Sequence, residues 1–141
     1  DVMYDPRAPE STSVSAAIEV ASITTREPKR DAHLKSADFF DAEKFPSITF
    51  QSRRVALKGD ALEVVGDLSI HGVTHEIRLA VSDITAEHTD PWGNKRIGAA
   101  ARAKIRRSDF GMTWNSGIEA GGVLVGDEIT IDIEVSLVRH A

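Results

Sequence analysis

Apolar and polar residues alternate at period two along most of the chain, and this alternation constrains the fold more than any other feature. Because successive side chains of a β-strand point to opposite faces, such segments predict strands with one buried face. In EITIDIEVSLV, the clearest case, Ile129, Ile131, Ile133, Val135 and Leu137 share one face. The same alternation occurs in SVSAAIEVASI, SITFQSRRVAL, ALEVVGDLSIH, EIRLAVSDI and RIGAAARAKIRR.

Short turns with glycine separate these strands, namely KGD, HGVT, DPWGN and GG. A change of phase at Arg53–Arg54 indicates a β-bulge. Residues 31–44 do not alternate; Asp31 is a candidate N-cap and Pro46 a stop signal, which predicts one or two short helices there. We therefore expect a single all-β domain over residues 1–141, an antiparallel barrel or sandwich with a short helical insertion.

Composition removes several classes of function. The chain has no cysteine, which excludes disulfides, thiolate nucleophiles and Cys-ligated zinc. Its net charge of −5 argues against nucleic acid as a partner. No apolar run approaches the ~20 residues of a membrane-spanning helix. No basic-then-apolar leader is visible, which favours the cytoplasm while leaving the periplasm and secretion open.

One strand has unusually small inward residues. Its face reads Ile97, Ala99, Ala101, Ala103 and Ile105. A barrel of about eight strands is either filled by side chains or holds one small ligand, and small inward residues favour a cavity. An apolar lining indicates an apolar, elongated ligand. The alternative is a solid core in which the alanines face a large residue such as Phe50 or Trp114, and the pattern leaves both open.

His71 and His75 flank Gly72 in GDLSIHGVTHEI. A two-histidine metal site needs rings that converge on one point. Strand parity places His71 outward and His75 inward, on opposite faces of the sheet. We therefore expect the ends of a hairpin, with Gly72 permitting the turn and Thr74 starting the next strand, and no metal site.

Other motifs have a structural and a functional interpretation. SDFGM contains the Asp-Phe-Gly of protein kinases, but no other kinase motif accompanies it. Asp109 is therefore expected to cap a short turn whose Phe110 enters the core.

Arg102, Lys104 and Arg106 form an outward basic stripe, either a solvated face or a phosphate contact. The two tryptophans, Trp92 at a loop tip and Trp114 before a glycine-rich segment, either line a cavity mouth or bridge loop and core.

Taken together, SVSAAIEVASI, RDAHLKSADFFDAEKFPSITF, GDLSIHGVTHEIRL, DPWGNKRIGAAARAKIRRSDFGMTWN and GGVLVGDEITIDIEVSL resemble the YceI-like family from about Asp5 to Leu137. That family comprises lipocalin-like barrels that bind polyisoprenoids. The resemblance implies a bacterial antiparallel β-barrel whose lumen holds a long isoprenoid, such as an isoprenoid quinone or a polyprenyl phosphate. It also implies a carrier and not an enzyme, without a cofactor or a membrane-spanning segment.

The family's parts carry over onto particular segments. His71–Thr74 resembles its hairpin turn, Arg30–Phe40 its helical segment, Asp90–Gly93 its Asp-Pro-Trp-Gly loop, and Asp109–Gly111 the segment before its tryptophan. Family members carry a further stretch before the equivalent of DPRAPE, which forms the first barrel strands. This sequence lacks that stretch, so either the stretch has been removed, or the barrel is open or is completed by another chain, for example in a homodimer.

Strand parity and the resemblance give a set of candidate ligand-lining residues and three candidates for binding a head group near a mouth. An enzyme with a hydrophobic substrate is one alternative; it needs an inward titratable group with a partner, and His75 is the only inward candidate. An interaction module with a solid core is the other. The lining candidates are Val14, Ala16, Ile18, Phe50, Ile97, Ala99, Ala101, Ala103, Phe110 and Trp114, and the head-group candidates are Arg30, His33 and Asn115.

Overall fold

One large antiparallel sheet and one short helix make up the computed structural model, which describes residues 1–115 and 125–140. This confirms the antiparallel β fold that the alternation predicts. The helix α1 (Pro28–Leu34) precedes β3 along the chain. The strands are β1 (Val2–Met3), β2 (Ser13–Glu19), β3 (Ser47–Lys58), β4 (Ala61–Ile70), β5 (Val73–Ser82), β6 (His88–Thr89), β7 (Lys95–Arg106) and β8 (Glu128–Val138).

The sheet is curled but open. Its strands follow the order β1–β2–β3–β4–β5–β7–β8, and β6 pairs with the first residues of β7. Val2 of β1, Leu57 of β3 and Leu137 of β8 line one cavity, so the two edges of the sheet curve towards each other. Within the described ranges, β8 pairs with β7 alone. Among the residues that the structure describes, the predicted barrel is therefore a curled sheet in which β8 and β1 are not paired with each other.

The predicted bulge lies in β3. The register of β3 against β4 shifts between Ser52 and Arg54, which confirms the change of phase read from the sequence. Gly66 pairs with Ser52 at this point, and the ring of Phe50 covers it. A Cβ atom on Gly66 would lie 2.6 Å from Phe50 Cζ and 2.5 Å from the carbonyl oxygen of Gln51. Glycine therefore allows the aromatic ring to approach the backbone of β4 closely.

The helical insertion begins earlier than predicted. Helix α1 starts at Pro28, because proline suits the first turn of a helix, and residues 36–45 form turns. The N-cap is Glu27, whose side chain accepts a hydrogen bond from the backbone N–H of Lys29 at 3.2 Å. Asp31, the predicted N-cap, instead accepts hydrogen bonds from the backbone N–H and Oγ1 of Thr25 at 2.7 and 2.6 Å. Its carboxylate thus fixes the chain that leads into the helix.

The sheet has two different ends. At the helical end, α1 precedes β3, β4 turns into β5, and a 3₁₀ helix at Arg107–Phe110 follows β7. At the open end, β3 turns into β4, β7 begins and β8 ends. A cluster of buried residues fills the part of the curled sheet nearer the helical end. This core contains Phe50, Val64, Leu68, Ile70, Leu79, Ala103, Ile105, Phe110 and Met112.

Candidate ligand-binding site

The inner face of the sheet is apolar from β2 to β8. Cross-strand pairs link Ala16 with Phe50, Val81 with Ala101, and Ala101 with Ile133, so residues of one parity on successive strands share this face. Directly opposed residues on neighbouring strands lie close enough for their side chains to pack. The face continues through Phe50–Leu68, Val55–Val64, Leu57–Leu62, Val64–Leu79, Ala99–Val135 and Ile97–Leu137.

The inner face is packed at the helical end and open at the other. Phe110 and Ala103 are only 1% and 4% exposed, and they belong to the buried core. At the open end lies a cavity of about 1360 Å³. Its apolar lining includes Leu57, Leu62, Ile97 and Leu137, all on the inner face. The half of the curled sheet nearer the helical end is therefore packed, as in the solid-core alternative, and the other half encloses a cavity.

The predicted lining residues fall into these two halves. Phe50, Ala103 and Phe110 lie in the core, and Val14 and Ala101 pack against it. Ile97 lines the cavity, and Ala99 is half-buried beside it along β7. The predicted assignment of the whole set to ligand binding stays a prediction. On the inner face of β2, Ala16 and Ile18 are exposed, and Trp114 contacts the rings of His33 and Phe39 at 4.6 and 5.5 Å.

Three cavity-lining leucines were left out of the predicted set, namely Leu57, Leu62 and Leu137. Their strand parity already assigns them to the inner face, so the alternation contains that signal. The alternation does not indicate where along the strands the cavity lies. The cavity is also lined by residues of the N-terminal segment, which has no alternation: Asp1, Val2, Tyr4, Asp5, Pro6, Arg7 and Pro9.

The three head-group candidates lie at the helical end, away from the cavity. Arg30 donates hydrogen bonds to Oγ1 and the carbonyl oxygen of Thr25 at 2.9 and 3.1 Å. His33 Nε2 lies 2.8 Å from an Asp38 carboxylate oxygen. The side chain of Asn115 exchanges two hydrogen bonds with the backbone of Val125, at 2.7 and 3.0 Å. These contacts hold the loops of the helical end together.

Basic side chains also surround the cavity. Lys95, Arg96 and Arg139 belong to its lining, as does Arg7. Arg139 lies 3.3 Å from the carboxylate of Glu87, so its charge is partly neutralised. The guanidinium groups of this set present the forked donors that suit phosphate and carboxylate oxygens. Arg7 and Arg96 are likewise paired, with Asp5 and Asp90, so the open end combines an apolar cavity with cationic groups of which most have a carboxylate neighbour.

The two histidines of the hairpin both contact Phe110. The turn consists of His71 and Gly72, with φ of 56° and 73°, and β5 begins at Val73, so the predicted start at Thr74 is wrong by one residue. His71 is a turn residue and not an outward strand residue, because two positive φ angles are what a tight two-residue hairpin needs. Its Nδ1 lies 3.1 Å from the carbonyl oxygen of Phe110. His75 faces inward, and its ring lies 5.2 Å from that of Phe110.

Both histidines thus help to hold the 3₁₀ helix Arg107–Phe110 against the β4–β5 hairpin. Over residues 1–115 and 125–140, no group of three or more His, Asp or Glu side chains is arranged to hold a metal ion. Phe110 enters the core as predicted. The predicted cap from Asp109 is wrong, since this 3₁₀ helix has no side-chain cap and ends at Gly111, with φ of 76°.

The outward basic stripe is paired with acidic residues of the neighbouring strand. Arg102 lies 2.6 Å from Asp132, and Lys104 lies 3.7 Å from Glu128. All four side chains are largely exposed. The solvated-face interpretation accounts for these contacts.

Trp92 lies at the tip of the β6–β7 hairpin and is 80% exposed. Asp90 organises this tip: its carboxylate accepts hydrogen bonds from Arg96 Nε at 2.5 Å and from the backbone N–H groups of Trp92 and Asn94 at 2.9 Å. The Arg96 hydrogen bond has the largest effect on the pKa of Asp90 and lowers it, burial opposes this, and hydrogen bonds from Asn94 and Trp92 lower it further, to about 2. The base of the hairpin, at Lys95 and Arg96, lines the cavity.

In the described part of the chain, no helix is both long and apolar enough to cross a membrane.

Comparison with known proteins identifies similar sequences. The profile of a family described as YceI-like domain matches residues 1–137. Protein YceI of Salmonella arizonae is 38% identical over 114 residues, which are 81% of this chain and 59% of that protein. Protein YceI of Salmonella newport gives the same figures. The chain thus spans less than two thirds of the length of the curated relatives it matches.

Solved structures show the same fold. The crystal structure of a Campylobacter jejuni YCEI protein superposes with a TM-score of 0.85 at 31% identity, covering 100% of this chain and 80% of that one. The structure of Burkholderia cenocepacia BcnA gives a TM-score of 0.80 at 23% identity, covering 97% of this chain and 81% of that one. At that identity, the likeness to BcnA concerns the fold alone.

Proposed function

This chain belongs to the YceI-like family, and from that premise we propose that it binds a long-chain isoprenoid lipid on the apolar inner face of its curled sheet. The isoprenoid tail enters the cavity at the open end and lies along the inner face. The protein then serves as a non-enzymatic carrier or store of this lipid, without a cofactor.

One observation carries the proposal: the apolar inner face extends beyond the packed core into an open cavity. Leu57 lines the cavity and is 48% exposed, and Val135 on the same face is 39% exposed, whereas the preceding inner-face residues of their strands, Val55 and Ile133, pack against the core. Covering apolar surface that water now contacts makes binding more favourable by about 25 cal/mol for each Å² buried. An apolar chain in the cavity is therefore the occupant that these side chains favour.

The packed core supports a direction for the lipid. Phe110 and Met112 are among the most deeply buried side chains and fill the curled sheet at its helical end. A tail that enters from the open end stops against this core, so the polar head group remains at the mouth. Arg96, Arg139 and Lys95 lie there, whereas Arg30, His33 and Asn115 are at the opposite end. We therefore favour the open end for the head group.

The experiment is a binding titration of delipidated protein with a polyprenyl phosphate and with an isoprenoid quinone, monitored by native mass spectrometry. We expect one lipid per chain for at least one of the two. The variant Leu57→Asp places a carboxylate in the cavity and is expected to weaken binding about tenfold, or about 1.4 kcal/mol. The matched control, Thr49→Asp, places the same group on the outward face of the same strand and should bind normally.

Failure of both lipids to bind would contradict the proposal. Equal affinities of the Leu57→Asp variant and the wild type would show that the ligand does not occupy this cavity.

A further inference from the structure

The large apolar side chains that the structure leaves exposed are concentrated at the open end. Among the described residues they are Val2, Met3, Ile18, Leu57, Trp92, Val135 and Val138. Val2, Leu57 and Val138 line the cavity itself, and Met3 and Trp92 lie within three residues of the lining residues Val2 and Lys95. Only Ile18 of this set lies near the helical end, one residue before the end of β2. Exposed apolar clusters of this kind mark interaction surfaces.

Trp92 projects from this end on a tightly organised turn. Asp90 accepts hydrogen bonds from both Trp92 and Asn94, and the backbone N–H of Asp90 donates to the carbonyl oxygen of Asn94 at 2.9 Å. The turn thus holds its shape without help from the indole ring, which remains 80% exposed. A fixed turn holds this large aromatic side chain in water, so contact with another surface that covers the ring is favourable.

Three of the four described cationic side chains around the mouth are paired with carboxylates, and the fourth, Lys95, donates a hydrogen bond to Thr89 Oγ1 at 2.6 Å. Asp5 lies 3.1 Å from Arg7, Glu87 lies 3.3 Å from Arg139, and Asp90 binds Arg96. A surface built to attract anionic lipid or an acidic protein carries an excess of unpaired lysine and arginine instead. The mouth is therefore suited to a partner that is apolar within and carries little net charge at its surface.

We propose that the open end docks on the surface of a lipid bilayer and that the Trp92 ring enters its interfacial layer. Tryptophan favours this layer because its ring is largely apolar while its indole N–H remains hydrogen-bonded at the headgroup level. The inference deepens the proposed function and rests on it, since it names the bilayer as the place where the isoprenoid enters and leaves the cavity. Docking brings the cavity mouth to the layer where such a lipid resides.

The test uses delipidated protein and vesicles of phosphatidylcholine without any isoprenoid. Since the chain has two tryptophans, Trp114→Phe leaves Trp92 as the sole indole and keeps an aromatic ring at position 114. We expect Trp92 fluorescence to shift to shorter wavelength on addition of vesicles and to be quenched by brominated acyl chains. In the background with both tryptophans, Trp92→Ala should lower the fraction of protein that sediments with vesicles at least fivefold, and Trp92→Phe should restore most of it.

A second measurement separates this inference from the proposed function. The affinity of Trp92→Ala for a short, water-soluble isoprenoid phosphate should stay within twofold of wild type, because Trp92 lies outside the cavity lining. Absence of quenching by brominated lipid would overturn the docking proposal even if the isoprenoid binds. Sedimentation only with anionic vesicles, abolished by salt, would also overturn it, since the lysines and arginines and not the Trp92 ring would then be responsible. Quenching without isoprenoid binding would leave docking standing and refute the carrier function.

Discussion

Asp90 and Arg96 form an ion pair, Oδ2 to Nε at 2.5 Å, that ties the tip of the β6–β7 hairpin to the start of β7. The Asp90 side chain is only 6% exposed at this point. The same carboxylate accepts the backbone N–H groups of Trp92 and Asn94, so one side chain fixes both the shape of the turn and its position beside the cavity.

This relationship predicts a pH dependence of stability. The pKa of Asp90 is lowered from 3.8 to about 2 in the folded chain. A carboxyl whose pKa is lower when folded than when unfolded adds stability above the unfolded pKa, and this contribution is lost as the pH falls through the folded pKa. We expect the melting temperature of wild type to exceed that of Asp90→Asn at pH 5–6, with the difference shrinking between about pH 4 and pH 2.

The comparison of variant and wild type matters because Asp5, Asp31 and Asp127 also have lowered pKa values. Subtracting the two curves removes their shared contribution. The control is Asp60→Asn, in the exposed β3–β4 turn, which should follow wild type across this range. A difference between Asp90→Asn and wild type that does not change with pH would contradict the assignment.

Gly66 is predicted to be intolerant of any side chain. Its Cβ would meet Phe50 Cζ at 2.6 Å and the Gln51 carbonyl oxygen at 2.5 Å, so Gly66→Ala must displace both a core ring and strand backbone. Overpacking of this kind costs about 1–3 kcal/mol in the free energy of unfolding. Gly98→Ala, also in a strand, is the matched control because its Cβ would meet Thr85 at an ordinary 3.6 Å. Urea unfolding should show a clear loss only for Gly66→Ala.

Arg107 is predicted to be essential for closing the helical end. It is 5% exposed and donates to the carbonyl oxygens of Met112 and Trp114 at 2.8 and 2.7 Å and of Val125 and Gly126 at 3.2 and 2.8 Å. Arg107→Met leaves these acceptors without their donor, at a cost of about 1–3 kcal/mol for each group that stays buried. We expect a loss of at least about 2 kcal/mol in the free energy of unfolding.

The matched control is Arg102→Met, which removes an exposed ion pair with Asp132 that is 2.6 Å long. Exposed pairs contribute about 0–1 kcal/mol, so this variant should remain close to wild type. Equal stability of the two methionine variants in urea would show that the buried guanidinium does not hold the helical end together.

The sheet was predictable from the sequence because its strands obey a two-residue period on one apolar face. Parity alone assigned Ile97, Ala101 and Ile133 to a common side, and the observed register places them there. The bulge at Arg53–Arg54 was visible as a change of phase. These features are local consequences of how a strand alternates, so one strand at a time suffices to infer them.

The location of the cavity was not predictable in this way. Alternation predicts which face a residue occupies but not its position along the strand. Ala103 in the core and Ile97 at the cavity are therefore both predicted only to face inward. The packed half depends on Phe110 and Met112, which arrive from a 3₁₀ helix and loop after β7. Strand parity also gave the wrong orientation for His71, because a residue with φ of 56° belongs to the turn and not to the strand. Tertiary contacts decide these points.

Three alanines on the inner face of β7 lie across the boundary between core and cavity. Ala103 is 4% exposed within the core, Ala101 packs against the core, and Ala99 is half-buried opposite Val135. Phenylalanine at position 103 must overpack the core and should cost about 1–3 kcal/mol, measured by urea unfolding of delipidated protein. Ala101→Phe should show a smaller loss.

At position 99 the added ring can turn towards the cavity, so Ala99→Phe should keep the stability of wild type. It also occupies space that the lipid tail needs, so the affinity for polyprenyl phosphate should fall about tenfold, or about 1.4 kcal/mol. Stability and binding should therefore change in opposite order along β7, from a destabilised variant at 103 to a stable variant with impaired binding at 99. Strong destabilisation by Ala99→Phe would extend the packed core to the open end, and unimpaired binding would place the lipid elsewhere.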